Sequence, residues 1–240
     1  MQFEKLLGPL HVKSAMAELS RSERGDDGES VKFSELFYGR HFNVVFIGTT
    51  LFALQQLSGI NSVFYFSSTV FRSVGVPSSL ANICMGIANL LGSIIAMLLM
   101  DKLGRKMLLV GSFFFMAFSM GLQAIGANRH LGSASVYLSV GGILLFVLAF
   151  SLGAGPVPGL LLPEIFPNKI RAKAMALCMS VHNFFVSLLF LRLLEQLGPQ
   201  VLYTMFSSAC VVGAIFVRRH VVETKGKTLQ EIEVSLLQTQ

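Results

Sequence analysis

Five side-chain amides, Gln55, Gln56, Asn61, Asn89 and Asn183, sit in stretches of chain that are otherwise almost wholly apolar. An amide is neutral, carries two donor hydrogens and offers an acceptor oxygen with two lone pairs. Burying one without partners is expensive. Hydroxyl groups both donate and accept, so a ligand with several hydroxyls, such as a sugar, is the chemistry these side chains suit. A site built to bond hydroxyls also rejects analogues that lack them. The other use of such a residue is to tie one helix to the next, worth about 1 kcal/mol per contact. For any single amide the two uses are not separable by spacing. The run Gln55-Gln-Leu-Ser-Gly-Ile-Asn61 favours a site, because it places three amides around Ser58 and Gly59, where a helix is prone to break.

The carboxylates occur elsewhere. Asp101, Glu164 and Glu223 fall at the ends of apolar runs, with Arg105, Arg171 and Lys225 close in sequence. Ion pairs at such ends can latch one conformation of a moving bundle; the plainer reading is surface pairs worth at most about 1 kcal/mol each. No acidic residue lies in the middle of an apolar run, so no proton-carrying carboxylate is expected. An enzyme has little support: there is no HExxH, GxSxG or phosphate loop, and His11, His41, His130, His182 and His220 are scattered. His182 alone falls inside an apolar run, where it reads as a hydrogen-bonded packing residue. Cys84, Cys178 and Cys210 show no metal-ligand spacing and read as small apolar fillers. Neither metal nor cofactor is expected.

The elements that position the amides follow from composition. The chain of 240 residues is 53% hydrophobic and 13% charged, against about a quarter charged in soluble domains. Its mean hydropathy is +0.66. Stretches free of Asp, Glu, Lys and Arg run over 42–71, 73–100, 107–128, 131–163, 174–191 and 196–217. About 20 apolar residues in a helix cross a bilayer, and backbone groups in lipid must be satisfied internally. The stretches lack the period-two alternation of barrel strands. The reading is therefore an all-α, polytopic membrane protein with six transmembrane helices at about 43–71, 74–100, 107–128, 135–163, 174–194 and 197–217. Residues 1–41 read as a cytosolic linker, partly disordered or forming a small docked helix, and 218–240 as a cytosolic tail. The apolar helices start only after 40 mostly polar residues, so no signal peptide is expected.

Lys and Arg fix the orientation. Six lie in 1–41, three in the second-to-third connection, three in the fourth-to-fifth and four in the tail, sixteen of the nineteen. Only Arg72, Arg129 and Arg192 fall on the other side. Cytosolic loops carry such an excess, so both termini are expected to face the cytosol. The net charge of +6 then reflects attraction to anionic lipid headgroups, not nucleic acid.

The six spans divide into two sets of three. The first helix of each set is interrupted, by Gln55–Asn61 in one and by Gly153-Ala-Gly-Pro-Val-Pro-Gly159 in the other, which contains Gly155, Pro156 and Pro158. Paired breaks of this kind mark the substrate site of inverted-repeat transporters, although Gly and Pro also produce ordinary kinks. The fifth charge-free run, at 18 residues, barely crosses an average hydrocarbon core.

At this point the motifs carry a resemblance. Gln55-Gln-Leu-Ser-Gly-Ile-Asn61, Asp101-Lys-Leu-Gly-Arg-Lys106, Gly155-Pro-Val-Pro158, Pro163-Glu-Ile-Phe-Pro167 with Arg171, and Glu223-Thr-Lys-Gly-Lys-Thr-Leu-Gln-Glu231 occur in one order. Together they resemble the signature series of the sugar-porter branch of the major facilitator superfamily, nearest to plant plastidic glucose transporters. The resemblance implies that the spans are helices seven to twelve of a twelve-helix carrier, with helices one to six absent. It implies hexose contacts at Gln55, Gln56, Asn61, Asn89 and, by a less direct correspondence, Asn183. It also implies a cytosolic gate network of Asp101, Arg105, Glu164, Arg171 and Glu223, and a plastid envelope location. Three positions depart from the pattern: Gly159 replaces an aromatic, Ser151 replaces an acid found in many animal members, and His182 runs directly into Asn183 where relatives carry a few more residues.

The function these observations imply is hexose transport by alternating access, passive or proton-coupled, by a C-terminal half that requires an N-terminal half in cis or from another chain. The competing expectation is a non-transporting truncated isoform or fragment that associates with full-length transporters. A third is two halves pairing as a homodimer.

Overall fold

In lipid no water can satisfy an open backbone, so each long apolar stretch must close its hydrogen bonds within itself, and each does so as a helix. The structure, a computed structural model, describes residues 36, 42–73, 75–127, 133–167, 169–196, 199–227 and 231–232. Eight α-helices occur among them: α1 Phe42–Leu57, α2 Ile60–Ser73, α3 Ser78–Leu103, α4 Arg105–Gly126, α5 Ser133–Ala149, α6 Pro156–Ile165, α7 Arg171–Gln196 and α8 Pro199–His220. A π-helical turn, Phe150–Ala154, joins α5 to α6. Apart from Leu36, the linker expected over 1–41 lies outside the described residues, as does most of the tail beyond 227.

Five helical stretches are long and apolar enough to cross a membrane among the described residues: Phe42–Arg72, Ser78–Leu103, Arg105–Gly126, Ser135–Ile165 and Gln200–His220. Helix α7, at the fifth expected span, is not among these five and has 26 residues. At 1.5 Å per residue that is about 39 Å. Its charge-free run is short because Lys173 and Arg192 bound it, and neither residue interrupts the helix.

Helix α4 occupies the middle of the bundle, packed on α8, on α5 and on the π turn, while α1 packs on α7. Its buried face, Leu109, Phe113, Met116 and Met120, meets Phe146 and Val147 of α5 and Phe206 and Cys210 of α8 in one core. Small residues allow these close approaches. A Cβ on Gly213 would sit 2.8 Å from the Phe113 ring, and one on Gly142 would sit 2.7 Å from Gln123. Ser207 of α8 donates to the Ala117 carbonyl of α4 at 2.9 Å, adding a polar tie.

Helix α3 buries a single stripe, Ala81, Met85, Gly92, Ala96 and Met100. Its other faces carry exposed Leu80, Ile83, Ile87, Leu90, Leu91, Ile94 and Leu98. An apolar surface of this extent is incompatible with water and fits a lipid or helix environment.

Candidate substrate site at the helix breaks

The first break separates α1 from α2 at Ser58-Gly59. Gly59 adopts φ +89, and a Cβ there would lie 2.4 Å from the Phe206 ring, so both backbone and space demand glycine. Ser58 donates its hydroxyl to the Gln55 carbonyl at 2.6 Å and closes the last turn of α1. Its own amide still reaches the Leu54 carbonyl at 2.9 Å. Hence the helix stops without leaving these groups open.

The second break begins before the prolines. The Gly155 amide reaches back to the Phe150 carbonyl at 2.8 Å, the wide bond of a π turn. Pro156 then starts α6, where its missing N–H is no loss. Ser112 of α4 braces the turn from outside: its oxygen accepts the Ala154 N–H at 2.8 Å and its hydroxyl donates to the Ala149 carbonyl at 2.7 Å. Gly153 permits this approach, since a Cβ there would be 2.5 Å from the Leu108 carbonyl oxygen of α4.

Two of the five predicted amides meet this turn. Gln55, almost fully buried, donates to the Ala154 carbonyl at 2.7 Å and to that of Gly155 at 3.4 Å, linking the first break to the second. Its side-chain carbonyl oxygen, Oε1, is buried and has no partner among the described residues. Asn89 of α3 is exposed, and its side-chain carbonyl oxygen meets the hydroxyl of Ser151, whose one hydrogen is shared with the Val147 carbonyl at 2.7 Å. Helices α1, α3 and α4 thus each place a polar side chain on one five-residue turn.

Gln56 and Asn61 form a second relay beside the first break. The Asn61 amino group donates to the Gln56 carbonyl at 2.8 Å, and the Gln56 amino group meets His182 Nδ1 of α7 at 2.9 Å. Asn183 is not brought to this cluster. One residue advances a helix by about 100°, so with His182 facing α1, Asn183 turns away; it is exposed and makes no hydrogen bond among the described residues. Pro158 is buried in the first turn of α6, and Gly159 is exposed.

The predicted gate residues assemble only in part. Arg105 Nη2 pairs with Glu164 Oε1 at 3.3 Å, and Thr224 donates to Glu164 Oε2 at 2.7 Å. Glu223 accepts the backbone N–H groups of Arg105 at 2.9 Å and Lys106 at 3.0 Å, a carboxylate on the N-terminus of α4. A Cβ on Gly104 would lie 2.5 Å from that carboxylate. Lys225 donates to the Lys102 carbonyl at 2.6 Å and caps the end of α3. Arg171 reaches the Phe166 carbonyl at 3.3 Å, not Glu164. Asp101 is exposed and bonds to nothing among the described residues. Nearness in sequence therefore does not give the partners, Ser112 carried no sequence signal, and Thr224 lay within the quoted Glu223–Glu231 motif without being given a role.

An all-helical bundle of membrane-length helices, with two broken helices tied to each other by a buried amide, is the half-bundle of a secondary transporter. The profile of the family described as "Sugar (and other) transporter" matches residues 3–236, and the chain belongs to that family. It is 66% identical over 242 residues to the probable plastidic glucose transporter 2 of Arabidopsis thaliana, covering 98% of this chain and 49% of that protein. The plastidic glucose transporter 4 of the same organism is 44% identical over 236 residues, covering 96% and 43%. Among solved structures, the proton:xylose symporter XylE bound to 6-bromo-6-deoxy-D-glucose matches with a TM-score of 0.80 at 30% identity, over 98% of this chain and 50% of that one. The inward open form of the E. coli xylose transporter XylE matches with a TM-score of 0.69 at 31% identity. The chain spans about half the length of the curated relatives it matches.

Proposed function

We propose that this chain forms the C-terminal half-bundle of a hexose transporter that works by alternating access, carrying a glucose-like sugar passively or with protons. The observation that carries the reading is the convergence of Gln55, Asn89 and Ser112 on the π turn, beside the Gln56–Asn61 relay. Neutral amides with donors and acceptors, held at or against the two helix breaks, suit a ligand made of hydroxyls. In this reading Gln56, Asn61 and Asn89 contact the sugar, with Asn183 a contact only if α7 rotates. Gln55 contributes its open carbonyl and holds the two breaks together. Ser58, Gly59, Gly155, Pro156 and Pro158 shape the opening. Arg105, Glu164 and Glu223 latch the cytosolic ends, with Asp101 and Arg171 joining them in another state of the cycle.

The partner of the half-bundle is an N-terminal half, in the same polypeptide or another, and the exposed face of α3 is available to lipid or to that half. The plastid envelope, with both termini toward the cytosol, is the proposed location, supported by the names of the plant relatives. The test is uptake of labelled D-glucose into proteoliposomes, with and without a co-reconstituted N-terminal half. Gln56→Ala and Asn61→Ala are each expected to lower that uptake severalfold. Uptake that neither substitution changes would discard the assigned site, and no uptake in either format would discard transport.

A further inference from the structure

The seam between α1 and α8 carries a feature that the helix breaks do not explain. Phe46 of α1 meets Phe216 of α8, and Gly59, just past the end of α1, faces Phe206, so the two helices run antiparallel. The start of α1 and the end of α8 therefore lie together, at the end of the bundle that holds most of the Lys and Arg. Four rings form a continuous ladder there. Phe42 stacks on Phe46 with centroids 6.0 Å apart, Phe46 meets Phe216 edge to face at 6.3 Å, and Phe216 stacks on His220 at 4.7 Å. Phe42 and Phe46 are 44% and 47% exposed, so the ladder is a surface and not part of the core. On α8 the same face continues inward through Val212 and Met205, both exposed.

Charge lies one turn further out. Arg219 and His220 follow Phe216 by three and four residues, which puts them on its side of the helix, and both are exposed. Arg219 makes no hydrogen bond or ion pair among the described residues. Neither α1 nor α8 contains Asp or Glu, and the nearest carboxylate in sequence, Glu223, is engaged by the N-terminus of α4. Cations suit a helix C-terminus, and their excess at one end suits a membrane orientation. Neither effect accounts for an open ladder of rings directly beneath them. One helical turn is about 5.4 Å, and the headgroup layer on each side of a bilayer is about 5–8 Å deep. With Arg219 and His220 at headgroup level, the Phe46–Phe216 pair sits where acyl chains begin.

We infer that this end of the α1–α8 seam is a binding site for an anionic phospholipid, whose headgroup phosphate pairs with Arg219 and His220 while its acyl chains lie on Phe42, Phe46 and Phe216. Basic clusters between membrane helices bind such headgroups, and a guanidinium matches a phosphate with two parallel hydrogen bonds. The lipid bridges α8 to the broken helix α1, which carries Gln55 and Gln56, so membrane composition bears on the helix that holds the amides. The site is separate from those amides and does not depend on the sugar reading.

The experiment uses the absence of tryptophan from the chain. Phe46→Trp introduces a single fluorophore on the ladder, and Met107→Trp places one on α4 at the same end, exposed and next to Lys106. Each variant of the full chain is reconstituted in vesicles of phosphatidylcholine and phosphatidylglycerol, with brominated chains on one lipid or the other to quench the fluorescence. At Phe46→Trp, brominated phosphatidylglycerol should compete for the site about fivefold or more better than brominated phosphatidylcholine, the factor that one cation near the headgroups supplies. Adding Arg219→Gln and His220→Gln should abolish that preference, and Met107→Trp should show little of it. Equal quenching by the two lipids at Phe46→Trp would overturn the inference. So would a preference that survives loss of the two cations, or one of the same size at Met107→Trp, which is diffuse attraction to the basic end. Absence of quenching by either lipid at Phe46→Trp would also overturn it, because a protein segment then covers the ladder.

Discussion

Ser112 offers the sharpest test of how the second helix break is held. Replacing it with Ala removes one oxygen from a buried position, and two backbone groups of the π turn lose their hydrogen bond to α4: the Ala154 N–H and the Ala149 carbonyl, at 2.8 and 2.7 Å. Both residues are essentially inaccessible, so water cannot take over. Two lost hydrogen bonds, at about 0.5–1.5 kcal/mol each, cost about 1–3 kcal/mol together. For a domain of this size that lowers the unfolding midpoint by about 2–12 °C on soluble-domain scaling. Ser119 provides the control on the same helix. Its hydroxyl bonds only the Phe115 and Met116 carbonyls of α4 itself, at 2.8 and 3.0 Å, and removing it strands no group of the π turn. The assay is thermal unfolding in detergent, followed by a thiol-reactive dye on a Cys84→Ser background. Cys178 and Cys210 are buried and become reactive only when the bundle opens. Ser112→Ala is expected to unfold well below Ser119→Ala. Equal midpoints for the two would refute the claim that α4 sustains the turn.

Two further outcomes follow from local geometry. Gly59→Ala places a side chain at φ +89 against the Phe206 ring; the backbone penalty alone is about 1–2 kcal/mol, and the same dye assay should show a lower midpoint. Glu223→Gln removes a charge from the N-terminus of α4 while retaining the shape, which should cost about 0.3–2 kcal/mol, with a difference that shrinks as salt is raised.

The helices were legible because charge is so costly in lipid that it retreats to the ends of spans; the helix breaks were legible because Gly/Pro interruptions fall at corresponding places in the two sets of three, although the second opens at Phe150, before the prolines. What composition could not show is direction. His182 and Asn183 are adjacent in sequence, yet one faces Gln56 and the other faces away, because a helix turns about 100° between them. Likewise the partner of Arg105 is Glu164, 59 residues distant, and not Asp101, which precedes it on the same stretch. Ser112 resembles every other serine in an apolar run until α4 is laid against the π turn. The 18-residue charge-free run of α7 underestimated the helix for a related reason, since Lys173 and Arg192, which bound the run, are compatible with helix near its ends.

The central claim is that a hexose sits where the two broken helices meet. The most direct measurement is photo-cross-linking with a diazirine-bearing glucose on the membrane-reconstituted protein, with labelled peptides mapped by mass spectrometry. Labelling within 55–61, at Asn89 and within 150–159, competed away by D-glucose, is the predicted result. Labelling confined to other segments, or unaffected by excess glucose, would contradict it.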